Sequence, residues 1–271
     1  MITLLALLAT AHAADPCEAA SDGFIDGPTQ AWFTDGALGA PRRTCTRSEL
    51  GVGAGGRITI DRPNFYGYVV GGLNLDGSVQ IIPGVEVFGR LEAVRYDLAV
   101  ASLSASAIGL GHLSVGAAFA ESPVRDFTVG SHVKLVLPTA TGLYHYGRPY
   151  GGELAVSTVW QAHPWVRLHD SFTVTVLAGS GVTAVPSIGG NVNLGLEFRP
   201  IPQFGIVADV DAGFLRTAPV DVVSVGGGLR FGDGKRFGFE VGARAPLAGR
   251  ERANIVADLR GSVRFGPVAK P

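Results

Sequence analysis

Charged side chains at every second position are what in this chain could do chemistry. Asp209 and Asp211 oppose Ile206, Ala208, Val210 and Ala212, while Glu240 and Arg244 oppose Phe237, Phe239, Val241, Ala243 and Ala245. Asp258, Arg260 and Arg264 likewise alternate with Ile255, Ala257, Leu259, Gly261, Val263 and Phe265. A period of two gives a strand one charged and one apolar face. The same parity, carried along the chain, puts Glu86, Arg90, Glu92, His132, Lys134, Glu197, Arg199, Asp209, Asp211, Arg230, Glu240, Arg244, Asp258, Arg260 and Arg264 on a common face. Such a set can fill an interior with ion pairs, or it can form a selective constriction for small solutes. Asp209 with Asp211 has the composition of a protease dyad, but the arginines around them favour ion pairing. His112 and Ser114, two apart on one face, bring together a base and a nucleophile. Acyl transfer also needs an orienting third group and oxyanion donors, and a coincidental pair in a glycine-rich strand is the plainer reading.

Strands have to position these residues, and the turns say what surrounds the strands. Phe119 and Phe127 bracket a turn at 122–125, Trp160 and Trp165 one at 161–164, Phe198 and Phe204 one at 199–202, and Phe231 and Phe237 one at 232–235. Phe265 closes the last run. Aromatic rings favour the boundary between hydrocarbon and water, so a girdle of them at alternate turns suits the periplasmic rim of a membrane β-barrel. A soluble sandwich would turn its apolar faces inward; a barrel in lipid turns them outward and keeps the charges in its lumen. Turn signals divide the chain into twelve strands: 50–61, 64–75, 80–96, 107–121, 126–137, 152–161, 166–179, 190–199, 203–215, 220–231, 236–245 and 253–265. An even number closes an antiparallel barrel with both termini on one side. Asp76-Gly77 and the turns at 122–125, 161–164, 199–202 and 232–235 are then all periplasmic. The longest outer connection, 138–151, carries Tyr144, His145, Tyr146, Arg148 and Tyr150, candidates for contact with a ligand.

Two stretches, 98–120 and 171–196, are long enough to span a bilayer as helices. Gly109, Gly111 and Gly116 in the first, and Gly179, Gly181, Pro186, Gly189 and Gly190 in the second, break a helix and suit paired strands. Only 17% of residues are charged and 39 of 271 are glycine, which fits strands that face lipid on one side and crowd at a curved wall on the other. A net charge of −1 gives no basic face for nucleic acid. Residues 1–13 form an apolar run ending Ala11-His12-Ala13, the form of a cleaved signal peptide, although no Lys or Arg precedes it. Cys17 and Cys45 are the only cysteines. In an oxidising periplasm they are expected to form a disulfide within an extension, 14–49, that acts as a cap or a lumen plug; no metal site or cofactor is expected. The barrel then occupies 50–265, with a tail at 266–271.

Gly109-Leu110-Gly111-His112-Leu113-Ser114-Val115-Gly116, followed by Lys134-Leu135-Val136-Leu137-Pro138-Thr139, resembles paired motifs of a broad family of bacterial outer-membrane barrels. Its members are described as transporters, some of them associated with phenol degradation. The usual Asp is His112 here, and Ala140-Thr141 precede Gly142 where the family runs Leu-Pro-Thr-Gly. The resemblance spans 50–265 and implies a passive outer-membrane role, with uptake of small hydrophobic compounds as one form of it. The His112 and Ser114 pair also resembles that of outer-membrane phospholipase A, without matching residues around it. The C-terminal run 259–265 resembles the signal read by the barrel-assembly machinery. The expected class is therefore all-β, a closed antiparallel transmembrane barrel whose partners are outer-membrane lipid, that machinery during biogenesis and a small-molecule solute. A passive conduit is the leading function; a closed structural barrel that presents surface loops, or more distantly a hydrolase, are the alternatives.

Overall fold

The computed structural model describes residues 48–61, 66–100, 105–124, 126–139, 141, 148–180, 187–201, 203–215, 218–232, 237–249 and 255–264. The leader, Cys17 and Cys45 with their extension, Tyr144, His145, Tyr146, Phe265 and the tail lie outside these residues. Within them the chain forms β1 (Glu49–Asp61), β2 (Tyr66–Ile82), β3 (Val85–Val100), β4 (Ala105–Gly109), β5 (Leu113–Val124), β6 (Phe127–Leu137), β7 (Arg148–His163), β8 (Val166–Ser180), β9 (Ser187–Ile201), β10 (Phe204–Leu215), β11 (Ala218–Gly232), β12 (Phe237–Gly249) and β13 (Ile255–Arg264). No helix among the described residues is long and apolar enough to cross a membrane; the described parts of the two rival stretches form strands, apart from the break at Leu110–His112.

All pairings are antiparallel. β1 pairs with β13 and β2, β2 with β3, and β3 with β4 and β5, and from β5 to β13 each strand pairs with its sequence neighbour. Following the ladder from β1 to β13 thus returns to β1. β4 and β5 pair with successive parts of β3, so they make one interrupted strand and the ring has twelve staves, as the sequence predicts. Glu49 stands opposite Arg264, which brings the two ends of the ring together at the short-turn end.

Three expectations need correction. Asp76-Gly77 is not a turn: β2 runs through it to Ile82, and the turn is Pro83-Gly84. Proline fixes the first central position of that turn, and Gly84 at φ 79° supplies the left-handed second one, the requirement of a type II turn. The predicted fourth strand is broken at Leu110–His112. The outer connection after β6 is shorter than predicted, because Arg148 and Tyr150 already pair with Ser180 and Ala178 as part of β7.

The faces alternate as an inverted sandwich. Leu50, Val52, Leu135, Leu154, Val156, Phe172, Leu194, Leu196 and Val210 are exposed on the outside, whereas the buried residues at alternate positions are mostly polar. A continuous outward apolar band needs a hydrocarbon solvent. Phe119, Trp160, Trp165, Phe198, Phe231 and Phe237 are exposed beside the short turns, and Phe231 packs on Phe204 and Phe239 at centroid distances of 5.2 and 6.2 Å. They form the girdle that turn spacing predicts.

Candidate functional site

Twelve of the predicted inward residues have described side chains, and eleven of them are buried: Glu86, Glu92, His132, Lys134, Glu197, Arg199, Asp209, Asp211, Arg230, Glu240 and Arg244. Arg90 is half-buried on the same face of β3. Asp258, Arg260 and Arg264 keep their register positions in β13, but their side chains are not among those described. Glu86, Lys134, Glu197 and Asp211 are at 0% exposure.

Strand parity also turns inward several residues that sequence reasoning missed. Glu49 precedes the expected first strand and Asp76 lies in an expected turn; both are buried. Glu153, Arg167 and Asn193 follow plain alternation, and so does the half-buried His169. The run Arg167-x-His169-x-Ser171-x-Thr173-x-Thr175 between Val166, Leu168, Phe172, Val174 and Val176 was a legible signal, interrupted only by outward Asp170. Arg95 was not legible: Val94 pairs with Leu73 and Glu92 with Asn74, so Ala93 is an extra residue that reverses the faces and swings Arg95 in toward Glu92, at 3.9 Å.

Three groups of side chains link neighbouring strands along the inner wall. In the first, Glu153 on β7 accepts from Lys134 Nζ at 2.8 Å and lies 2.9 Å from His132 Nε2, both on β6. Phe88 on β3 reaches the His132 ring edge-on, at 5.9 Å between centroids, over Gly116 of β5. The second group follows the short-turn end: Glu197 on β9 lies 3.4 Å from His169 on β8 and 3.5 Å from Arg230 on β11, and Arg230 lies 3.4 Å from Glu240 on β12. Glu197 and Arg230 are separated by β10, where Gly205 stands; a Cβ there would be 2.7 Å from Glu197 Oε1. The third group repeats this device four residues further along each strand, ~13 Å away. Arg244 on β12 pairs with Asp209 on β10 and approaches Asp211 to 4.0 Å, across β11 at Gly226, where a Cβ would overlap Asp209 Oδ1. From the other side, Asn191 Nδ2 donates to Asp211 at 3.0 Å and Asn193 Nδ2 to Asp209 at 3.3 Å. The Glu197–Arg230 and Asp209–Arg244 pairs each span a strand whose inward position, Gly205 or Gly226, lacks a side chain, while the Glu153–Lys134, Glu197–His169 and Arg230–Glu240 pairs join neighbouring strands.

The two motifs that carry the family resemblance meet at the break between β4 and β5. Leu113 N–H donates to Thr139 Oγ1 at 2.8 Å, Thr139 Oγ1 donates to the Gly111 carbonyl at 3.3 Å, and Leu110 N–H donates to Thr141 Oγ1 at 3.1 Å. His112 N–H donates to Glu92 Oε2 at 3.0 Å. Side chains here replace the ladder bonds that an interrupted strand loses. His112 and Ser114 are both buried in this wall. Tyr150 is exposed on the outward face of β7 rather than in a loop, and nothing is described of the Arg148 side chain. Among the described residues, no group of three or more His, Cys, Asp or Glu is placed to hold a metal ion.

No family model matches the sequence, and no curated protein matches it. Solved structures do. An outer membrane channel from Pseudomonas putida F1 superposes with a TM-score of 0.58 at 13% identity, covering 81% of this chain and 96% of that one. The beta domain of a Bordetella autotransporter gives 0.58 at 15% identity, covering 80% and 99%, and the KdgM porin gives 0.52 at 7%, covering 80% and 99%. With the apolar exterior and the aromatic girdle, these likenesses show that the fold is that of the bacterial outer-membrane β-barrels, and the outer membrane is its location.

Proposed function

We propose that the chain is a narrow passive conduit for small molecules across the outer membrane, without enzymatic activity, and that its interior charges decide what passes. One observation carries this reading: within an apolar-walled ring of twelve staves, the inward face bears charged and amide groups on nearly every strand. Eight staves are already wide enough for side chains to fill, so twelve leave a broader interior to be spanned. The pairs described above link strands one or two apart along its wall. The lining supports polar solutes over the hydrophobic compounds that the family resemblance implies, because among the described residues buried apolar side chains are few: Phe88, Ala118, Val136, Ala155, Val159 and Val207.

Outer-membrane lipid is the solvent of the outer wall, and assembly through the barrel machinery follows from the C-terminal strand. The closed structural barrel is a second reading, favoured by the absence of exposure at Lys134, Glu86, Glu197 and Asp211. The hydrolase reading would require a substrate to reach His112 and Ser114, both buried in the wall. Liposomes containing the folded protein separate the first two. A conduit lets them swell in isotonic small polar solutes, with a rate that falls as solute size rises; a closed barrel leaves them at the rate of empty vesicles.

A further inference from the structure

The outer wall is not evenly convex. Where β13, β1, β2, β3 and β5 lie side by side it carries a depression of about 590 Å³, bordered by Gly261 and Val263 at one end and by Leu113 at the other. Strand pairing explains the hollow: Gly77 stands directly opposite Gly89, and Gly261 opposite Val52, so three outward positions within five adjacent strands have no side chain. Leu50, Leu75 and Val263, all exposed, rise around these glycines. Five strands at ~4.8 Å spacing give the depression a length of ~19 Å. Asp76 and Arg90 also border it, from positions whose side chains belong to the lumen face, so the surface it presents is almost wholly apolar. Its depth in the membrane follows from the girdle. Val85 pairs with the girdle residue Phe119, and Gly89 lies four residues further along β3. At ~3.3 Å per residue on a strand tilted by ~40°, the floor sits ~10 Å inside the hydrocarbon, in the half of the ~25 Å apolar band that adjoins the short periplasmic turns.

We propose that this depression is a binding site for an acyl chain of one phospholipid from the periplasmic leaflet, held there in preference to the lipid around the rest of the wall. The depression is continuous with the lipid-facing surface, and an apolar hollow left empty at that depth forfeits the dispersion contacts that a filled one makes. A flexible hydrocarbon chain enters it and makes them. A second copy of the barrel fits less well, because the two-fold contact usual in dimers sets the same patch on both partners, hollow against hollow, and leaves the space unfilled. The site stands on the outer-membrane fold and does not depend on the conduit reading.

The test is native mass spectrometry of the folded protein in mild detergent, titrated with palmitoyl-oleoyl phosphatidylethanolamine, with heat-dependent gel mobility confirming that each variant has folded. A Cβ at Gly261 meets nothing within 4 Å, and one at Gly89 meets only ordinary contacts, so Gly261→Leu and Gly89→Leu fill the depression without displacing the wall. Gly152→Leu adds the same bulk to the outward face of β7, away from it. At one lipid concentration the parent and Gly152→Leu should hold one phospholipid alike, Gly261→Leu several-fold less, and the Gly89→Leu/Gly261→Leu double variant less again. Equal occupancy in the parent and every variant overturns the proposal. So do dimers of the parent that the filling variants abolish, because they give the depression to a second copy. Reconstitution of the parent with a phospholipid that carries a photoreactive acyl chain needs no variant. Crosslinks concentrated on Leu50, Leu75 and Val263 support the site; crosslinks spread evenly over the outward residues overturn it.

Discussion

Two regions of the barrel use glycine to admit a polar side chain, with opposite consequences for the wall. On the β9–β12 arc, Gly205 and Gly226 leave room for Glu197 and Asp209 to meet arginines beyond the next strand; the backbone ladder is intact on both sides of Gly226, and at Gly205 it holds toward β11 while the register against β9 shifts. At the β3–β6 junction, Gly111 makes room for the Glu92 carboxylate, but the strand is interrupted there: backbone bonds to Glu92 hold on the β3 side, and the Thr139 and Thr141 side chains accept from Leu113 and Leu110 N–H on the other. The first region trades a side chain for a side-chain pair; the second trades ladder bonds for side-chain bonds. Glycine in a strand weakens it in either case. Whether the wall survives depends on what the space is used for.

The largest effect should come from closing a gap on the arc. Gly226→Leu would separate Arg244 from Asp209 and leave buried charges uncompensated, a loss of about 3–5 kcal/mol. A urea titration followed by the gel mobility of the folded form reads it; an unchanged midpoint would mean that the ion pair does not need the glycine. The junction should be less costly. Thr139→Val keeps the shape but removes the acceptor for Leu113 N–H and the donor to the Gly111 carbonyl, worth about 1–3 kcal/mol in the same titration. Thr139→Ser should recover most of that, and a failure to recover would place the effect in packing rather than hydrogen bonding.

Smaller changes mark the boundary of the comparison, on the outer wall. Trp165→Ala removes an exposed girdle ring that packs edge-on against His163 at 5.3 Å, and should cost about 1 kcal/mol. Asp170 faces outward beside Thr158, whose hydroxyl donates to it at 2.6 Å. Asp170→Asn keeps an oxygen acceptor there and should shift stability by less than ~0.5 kcal/mol. A large loss at Asp170 would show that the outer carboxylate is held by more than Thr158, whose backbone N–H also donates to it at 3.1 Å.

Strand period carried most of the architecture into the sequence. Alternation fixed the inward set because each face of these strands meets a different solvent, and the aromatic residues marked the turns because rings prefer the interface. What stayed hidden depends on register between strands. Asp76-Gly77 reads as a turn by local preference, yet the pairing of β2 with β3 passes straight through it to Pro83-Gly84. The Ala93 bulge reverses the face of Arg95 without any composition signal. That Arg244 meets Asp209, or that Thr139 serves Leu113, follows from which residues the ladder sets side by side, and no single strand's period contains that.

Ion conductance of the mature protein, refolded and inserted into planar bilayers after gel mobility shows a compact barrel, tests the conduit reading most directly. The account predicts small, discrete steps whose size grows with salt concentration. A folded barrel that gives no steps across the accessible voltage range would contradict it and leave an interior that the paired charges hold permanently shut.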